Sequence, residues 1–254
     1  MPFVKVDGLK TFYEDVGKGK PLLLVHGACS STRIWVNQLE GLSKKVRVLA
    51  IDLPGHGETE ALSGRGTIER YADHCASFMK RIRLAKAVIG GTSMGGLVVQ
   101  QLCFKYPQLV ERLILHDTAA KVPVSPEALD LYRTHFESTQ KLLSELSFSK
   151  KTMKTNPALV QQHVQMDLQT NREAATDDYE ATGEVDFSGK IGKIKAPTLI
   201  IMGADDLLIT KPMAQFLHEN IEGSKLEVIP GAGHVNMLEK PEYVNDVILK
   251  FVGS

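Results

Sequence analysis

A serine flanked by glycines is the first feature of the sequence that could do chemistry. Gly91-Thr92-Ser93-Met94-Gly95-Gly96 follows the apolar run Ala87-Val88-Ile89 and precedes a helical pattern that begins at Leu97. A turn this tight between a strand and a helix strains its central residue, so the neighbouring residues must be small. The serine oxygen would lie at a helix N-terminus, whose free N–H groups favour developing negative charge. The pattern predicts Ser93 as a nucleophile, with an ordinary glycine turn as the alternative.

A serine hydroxyl is a weak nucleophile and needs a neighbouring base. The chain has eight histidines, and His234 is the best placed of them. It ends the glycine-rich loop Gly231-Ala232-Gly233-His234, which follows the last apolar strand and would let the imidazole reach the serine. Other histidines fall within helical patterns and are interpreted as solvent-exposed: His74, His135, His163 and His218. We therefore predict His234 as the general base.

The base in turn needs a carboxylate that orients its ring. Gly203-Ala204-Asp205-Asp206 follows an apolar strand, so either aspartate could reach the imidazole from the same edge of the sheet. Asp117, at the end of an earlier strand, is a rival. The resulting order of serine, aspartate and histidine is that of α/β-hydrolases rather than of either major group of serine proteases.

Two backbone N–H groups are expected to bind the oxygen of a tetrahedral intermediate. Removing one such donor typically costs about 2.7–4 kcal/mol of transition-state stabilisation. Met94, which follows the serine, should supply one donor. Ala28 should supply the other, because His26-Gly27-Ala28 turns the chain directly after the apolar strand Leu22–Val25. His26 is then interpreted as a hydrogen-bonding support for this loop.

Alternating strands and helices are predicted to position these residues. An N-terminal hairpin is expected from strands at 3–6 and 9–14 around Asp7-Gly8. Helices are expected at 67–83 and 97–106, and further strands at 21–25, 46–51, 87–89, 113–115, 197–201 and 226–229. Apolar strands that alternate with helices predict a parallel sheet covered on both faces. A (β/α)8 barrel would fit the length but not the hairpin or the segment described next.

The stretch from about Thr118 to Lys195 contains no convincing strand. Residues 126–148 and 157–170 are instead predicted to be amphipathic helices. Helices inserted between two strands of a sheet would cover its carboxyl edge. We therefore predict a core formed by residues 1–117 and 196–254, with residues 118–195 as a helical cap.

Composition excludes several classes of protein. Thirty Lys and Arg balance thirty Asp and Glu, so there is no basic surplus for nucleic acid and no reason to favour a highly charged substrate. No apolar run approaches the roughly 20 residues that span a bilayer, and the N-terminus does not resemble a signal peptide. Three widely spaced cysteines form no disulfide framework or zinc motif. We expect a cytoplasmic monomer or homodimer with a small-molecule substrate, acting without nucleic acid, a membrane, a cofactor or a metal.

Over nearly its whole length the chain resembles the α/β-hydrolase fold superfamily. The motifs that carry the resemblance are Leu24–Ala28 with Trp35, Asp52–Gly57, Gly91–Gly96, Pro197–Leu199 with Gly203–Asp206, and Gly233-His234 with Glu239 and Pro241. The resemblance implies an α/β fold in which an eight-stranded, mostly parallel sheet has helices on both faces and a helical cap after the sixth strand. It also selects Asp206 over Asp205, because the family places its acid three residues after the glycine that ends the strand.

The resemblance narrows the reaction as well. Dehalogenases and epoxide hydrolases of this fold have aspartate at the position of Ser93 and are excluded. Carbon–carbon bond hydrolases generally have tryptophan after the catalytic histidine, where this chain has Val235, while residues 115–120 are similar to enol-lactone hydrolases.

The resulting prediction is a serine hydrolase that cleaves a small carboxylic ester or lactone through an acyl-enzyme. The alternatives are a carbon–carbon bond or enol-lactone hydrolase and a non-catalytic ligand-binding protein. The predicted pocket walls are Cys29, Trp35, Leu207 and Val235. Arg133, His135 and Arg172 are the cap residues that could serve a carbon–carbon bond hydrolase.

Overall fold

A computed structural model describes residues 3–253 of the chain. Eight strands form one sheet: β1 (Phe3–Val6), β2 (Leu9–Val16), β3 (Pro21–Val25), β4 (Arg47–Ile51), β5 (Ala87–Thr92), β6 (Val110–His116), β7 (Thr198–Gly203) and β8 (Lys225–Ile229). Their order across the sheet is β1-β2-β4-β3-β5-β6-β7-β8. The first two strands are antiparallel to their neighbours, and the other pairs are parallel. The predicted eight-stranded, mostly parallel sheet is confirmed.

Helices cover both faces of this sheet. Those of the core are α1 (Val36–Leu42), α2 (Ile68–Arg81), α3 (Met94–Lys105), α9 (Lys211–Asn220), α10 (Asn236–Glu239) and α11 (Pro241–Gly253). Because successive side chains of a strand point to opposite faces, Leu23 packs towards α2 and α3 while Leu24 packs towards α1 and α11. No helix in residues 3–253 is long and apolar enough to cross a bilayer.

Five helices lie between β6 and β7. They are α4 (Pro126–Thr134), α5 (Phe136–Leu146), α6 (Lys150–Thr155), α7 (Pro157–Asp167) and α8 (Arg172–Glu184), and we refer to them together as the cap. The prediction of one helix over 126–148 is wrong, because the backbone of His135 leaves the helical region (φ −127°, ψ 47°) and separates α4 from α5. Helices α6 and α8 were not predicted, since neither segment has a regular apolar stripe.

A buried aspartate of the cap fastens it to the core. Asp178 on α8 accepts a hydrogen bond from the backbone N–H of Cys29 at 2.9 Å and lies 2.7 Å from Nε2 of His56. Its other oxygen accepts the hydroxyl of Tyr71 at 3.0 Å. A buried carboxylate requires such partners, since an unpaired charge is costly to remove from water. The cap is therefore held on the loops that follow β3 and β4.

Candidate active site

Ser93 lies at the turn between β5 and α3. Its backbone is left-handed (φ 53°, ψ −121°), a conformation that costs a non-glycine residue of order 1–3 kcal/mol. The surrounding glycines are sterically required. A Cβ on Gly91 would lie 2.2 Å from the carbonyl oxygen of Gly95, and one on Gly95 would lie 2.2 Å from that of His26. The predicted strained turn is therefore present, with Ser93 at its apex.

His234 and Asp206 form a buried pair at the same edge of the sheet. Nδ1 of His234 lies 2.8 Å from Oδ2 of Asp206, while Oδ1 of Asp206 accepts the backbone N–H groups of Leu208 and Ile209 at 2.8 and 3.0 Å. Burial by itself would raise the pKa of Asp206, but His234 and these N–H groups outweigh it and hold the pKa below its usual range. Asp205 is exposed. The structure thus pairs Asp206, and not Asp205, with His234.

Ser93 and His234 line one cavity, although within residues 3–253 no hydrogen bond joins them. Hydrogen bonds between catalytic groups are often long in unliganded enzymes and shorten when substrate binds. Both side chains come from carboxyl ends of parallel strands, which meet at one edge of a doubly wound sheet. The structure therefore brings the Ser93 hydroxyl and the His234–Asp206 pair to one cavity.

Of the two predicted N–H donors, Met94 directly follows Ser93, and Ala28 follows Gly27, where an added Cβ would lie 3.2 Å from that of Ser93. Neither Ala28 nor Met94 donates a backbone hydrogen bond within the described residues. The loop that holds Ala28 is fixed by His26, whose Nδ1 lies 2.8 Å from the carbonyl oxygen of Gly27 and whose Nε2 accepts the N–H of Leu53 at 2.9 Å. Burial lowers the pKa of His26 to about 3, so the ring is neutral and can accept that bond.

Asp117, the rival acid, lies buried behind Asp206. Its carboxyl group accepts the N–H of Gly203 at 2.8 Å and the side-chain amide of Asn236 at 2.5 Å. Burial and the neighbouring Asp206 carboxylate raise the pKa of Asp117 well above its usual value. Asn236 also accepts a hydrogen bond from Nε2 of His116 at 2.6 Å. Sequence reasoning missed Asn236, whose only signal was its position two residues after His234.

One cluster within residues 3–253 has ligand atoms close enough to one another to hold a metal ion. Asp117, Asp206 and His234 each offer one ligand atom within 4.8 Å of the others. These atoms already face hydrogen-bond donors of the protein: Asp206 faces His234 and two backbone N–H groups, and Asp117 faces Gly203 and Asn236. The chemistry of the cluster is therefore that of a hydrogen-bonded acid pair beside an imidazole.

A cavity of about 450 Å³ separates Ser93 from the cap. Leu207 and Val235 line it, as predicted from the sequence. Cys29 and Trp35 do not. The thiol of Cys29 lies 2.9 Å from the hydroxyl of Tyr132 beneath the cap, and the Trp35 ring packs 5.8 Å from the ring of His116 in the core. Both side chains are held by buried neighbours that the sequence pattern does not reveal.

The loop that carries His234 is tied to the cap by Glu239. One oxygen of Glu239 accepts the N–H of Gly233 at 2.6 Å, and the other accepts the hydroxyl of Ser149 at 2.6 Å. The N–H of Val235 donates to the carbonyl oxygen of Ser147 at 3.2 Å. The position of the His234 imidazole therefore depends on the cap as well as on the sheet.

Comparison with known proteins agrees with this architecture. A family model described as the alpha/beta hydrolase fold matches residues 20–241. The chain belongs to this family. It is 30% identical to 2-hydroxy-6-oxo-6-(2'-aminophenyl)hexa-2,4-dienoic acid hydrolase of Metapseudomonas resinovorans, over 98% of this chain and 90% of that protein.

Two solved structures extend the comparison of this hydrolase. The enol-lactonase from Burkholderia xenovorans superposes with a TM-score of 0.93 at 26% identity, covering 100% of both chains. A thermophilic esterase from Thermogutta terrifontis superposes with a TM-score of 0.92 at 30% identity, covering 99% of this chain and 98% of that one.

Three cap residues named from the sequence lie away from the cavity of this hydrolase. Arg133, His135 and Arg172 are exposed. Arg133 pairs with Glu180, and both arginines line a separate surface groove of about 890 Å³ that contains no residue of the Ser93 site.

Several other cap residues reach the cavity and were missed, including four buried polar ones. His163 and Asp167 on α7, and Gln140 and Ser144 on α5, all line it and are at least nine-tenths buried. The interpretation of His163 as solvent-exposed is wrong, as is that of His74, which is buried in the core beside Thr11. The spacing of His163 from Asp167 was a usable signal, because residues four apart share a helix face, and this face also carries the buried Val160 and Val164.

Proposed function

We propose that the protein is a serine hydrolase that cleaves a small carboxylic ester or lactone through an acyl-enzyme intermediate. One observation carries the proposal: the buried His234–Asp206 pair, 2.8 Å between Nδ1 and Oδ2, opens onto the same cavity as Ser93 at its strained turn. Esterase and enol-lactonase structures that superpose on the whole chain support this reaction class.

Acylation follows from the positions of these groups. His234 accepts the proton of Ser93 at Nε2 as the serine oxygen attacks the substrate carbonyl. Asp206 holds Nδ1–H of the same ring and stabilises the imidazolium that forms. The N–H groups of Ala28 and Met94 bind the oxyanion. Collapse of the tetrahedral intermediate then expels the alcohol, which takes its proton from His234.

Deacylation repeats these steps with water as the nucleophile. His234 accepts a proton from water, the hydroxide attacks the acyl carbonyl, and Ser93 leaves with the proton returned by the imidazole. For a lactone the alcohol and the acid are parts of one molecule, so the product is a hydroxy acid. A cavity of about 450 Å³ that is mostly apolar fits a small acyl compound.

The proposal is tested by replacing the nucleophile. Ser93→Ala should lower kcat for p-nitrophenyl esters at least about 10³-fold and abolish labelling by a fluorophosphonate, because a methyl group can neither attack nor be acylated. Ser188→Ala, at an exposed serine outside the cavity, is the matched control and should keep both the ester turnover and the fluorophosphonate labelling. Ester turnover retained by Ser93→Ala would contradict the proposal. A wild-type protein that is never labelled would favour the non-catalytic alternative.

A carbon–carbon bond hydrolase that uses the same serine is the second candidate. The 30% identity to a hydrolase of a hexadienoic acid favours it, as does the polar group of His163 and Asp167 in the cap, which could contact a second oxygen of such a substrate. Turnover of a 2-hydroxy-6-oxo-hexa-2,4-dienoate, followed by loss of its visible absorbance, separates the candidates. A kcat/KM for this dienoate above that of every ester and lactone tried would favour the second reaction.

A further inference from the structure

The cavity above Ser93 contains very little charge. Within residues 3–253 no lysine or arginine lines it, and its only carboxyl group is that of Asp167. Its remaining walls are largely aliphatic, including Val122, Leu129 and Leu143. A carboxylate moved from water into such a site would lose its hydration and find no cationic partner. The cavity therefore opposes an anionic group on the substrate.

The polar side chains of the cap meet at one place on this cavity. Oδ2 of Asp167 accepts the hydroxyl of Ser144 at 2.6 Å and lies 3.3 Å from Nε2 of His163. Gln140 donates to Ser144 at 3.0 Å and accepts the hydroxyl of Tyr132 at 2.6 Å. These contacts join three cap helices, α4, α5 and α7, and fix the orientation of the carboxyl group.

Two atoms of this group have no hydrogen-bond partner within the described residues. They are Oδ1 of Asp167 and Nδ1 of His163, both buried. Buried polar atoms are normally paired, and one left unpaired costs about 1–3 kcal/mol. Because both residues line the cavity, they are polar groups of its wall whose hydrogen-bonding capacity the protein leaves incompletely used.

Both groups are uncharged near neutral pH. Burial raises the pKa of Asp167 to about 8, despite the hydrogen bonds from Ser144 and Gln140. Burial and the nearby His234 lower the pKa of His163 to about 4. A neutral carboxyl group and a neutral imidazole each offer one donor and at least one acceptor. Such a pair matches a ligand group that both donates and accepts a hydrogen bond.

We propose that His163 and Asp167 form a subsite for an uncharged hydrogen-bonding group of the substrate, such as a hydroxyl or an amide, and that the enzyme discriminates against substrates bearing a carboxylate. This inference rests on the proposed ester or lactone hydrolysis. It adds the class of substrate: a neutral acyl compound with one polar group away from the reacting carbonyl.

The test compares three p-nitrophenyl esters of similar length. They are the heptanoate, the 6-hydroxyhexanoate, which replaces the terminal methyl group by hydroxyl, and the adipate half-ester, which ends in a carboxylate. Acetate esters of heptan-1-ol and hexane-1,6-diol give the same comparison for a polar group on the alcohol. In at least one of the two series we expect kcat/KM for the hydroxylated ester to exceed that for its methyl analogue about tenfold or more. Among the three p-nitrophenyl esters, the half-ester should have the lowest kcat/KM.

Variants of Asp167 assign the effect to the subsite. Asp167→Leu should reduce the hydroxyl-to-methyl ratio of kcat/KM about tenfold, whereas Asp167→Asn, which keeps a neutral donor and acceptor, should retain the ratio. Asp130→Leu, at an exposed aspartate of α4, is the control for a leucine on the cap. Because each ratio is taken within one variant, a general loss of activity cancels. An unchanged ratio in Asp167→Leu, or a half-ester that reacts as fast as the hydroxy ester, would overturn the inference.

A binding measurement separates this inference from the proposed reaction. Saturation-transfer NMR on the Ser93→Ala protein should detect hexane-1,6-diol but not adipate, and the added Asp167→Leu change should remove the diol signal. If the wild-type protein hydrolyses none of the esters but the Ser93→Ala protein still binds the diol, only the proposed function is contradicted. Equal binding of diol and adipate would contradict the subsite alone.

Discussion

At the scale of single residues, the site contains two neighbouring carboxyl groups whose pKa values shift in opposite directions. Asp206 accepts hydrogen bonds from His234 and two backbone N–H groups, which keep it ionised. Asp117, buried behind it, has a raised pKa because of that burial and of the Asp206 charge. Adjacent carboxyl groups with opposite shifts divide their roles. Asp206 faces the imidazole, and Asp117 accepts hydrogen bonds from Gly203 at the end of β7 and from Asn236.

The role of Asp206 predicts a large effect for a nearly isosteric change. Asp206→Asn should lower kcat for ester hydrolysis about 10³–10⁴-fold with little change in fold, because an amide at this position can favour the wrong imidazole tautomer. Steady-state kinetics and circular dichroism measure the two effects. Asp205→Asn, one residue earlier and exposed, should retain nearly full activity. Equal losses in both variants would show that Asp206 does not orient His234.

Residue types and spacing were sufficient to predict some of these groups. Ser93 and His234 stand beside glycines at the ends of apolar strands, so local sequence indicated that both lie at one edge of the sheet. His163 and Asp167 could not be predicted in the same way. Their burial depends on α5 packing against α7, a contact between segments about 20 residues apart for which the sequence carries no local signal.

At the scale of elements, the turn between β5 and α3 does most to position the site. It brings the backbone of Gly95 against the loop after β3, so that Ser93 and the predicted N–H donors share one small region. This close approach is possible only without a side chain at Gly95. The geometry of catalysis and the packing of α3 on the sheet therefore depend on the same residue.

A single methyl group at this turn should disrupt the fold. In Gly95→Ala the new Cβ would lie 2.2 Å from the carbonyl oxygen of His26, a backbone atom that cannot move independently. We expect a loss of more than about 4 kcal/mol in the free energy of unfolding, or failure to fold. Gly189→Ala, where no atom lies within 4 Å of the new Cβ, should change it by less than about 0.5 kcal/mol. Urea unfolding of both variants tests this, and equal stabilities would contradict the steric account.

The elements of the core were predicted better than those of the cap. Buried parallel strands such as β5 and β7 are continuous apolar runs, which are visible in any sequence. The cap helices bury narrow and partly polar faces, so their periodicity is weak. Helix α8 buries Asp178 and Thr182 beside two alanines, and the break at His135 depends on a single backbone conformation.

At the scale of the whole molecule, buried polar contacts join the cap to the core. Asp178 bonds to the loops after β3 and β4, and Glu239 connects Ser149 of the cap to the His234 loop. The cap therefore covers the cavity and also contacts the loop that carries His234. Asp167, a buried cap residue that accepts hydrogen bonds from Ser144 and Gln140, supplies the carboxyl group of this cavity.

Asp167 should make the free energy of unfolding depend on pH. Its pKa is about 8 in the folded protein and 3.8 when unperturbed. Between these values the unfolded chain releases a proton that the folded protein keeps. Its contribution to stability is therefore complete below about pH 4 and is lost progressively up to about pH 8. The slope from one such group is at most about 1.4 kcal/mol per pH unit.

Asp167→Asn removes this titration while keeping a neutral polar side chain beside Ser144 and Gln140. Relative to wild type, the variant should gain stability steadily from pH 5 to pH 8, and its advantage should level off above pH 8. Restricting the comparison to this range avoids the folded-state titration of His163, whose pKa is about 4. Urea unfolding at each pH gives the difference directly, because groups unaffected by the change cancel. Asp130→Asn, on the exposed side of the cap, should follow the wild-type curve. Parallel curves for wild type and Asp167→Asn would mean that Asp167 is ionised in the folded protein, and the cavity would then carry a negative charge that favours a cationic substrate.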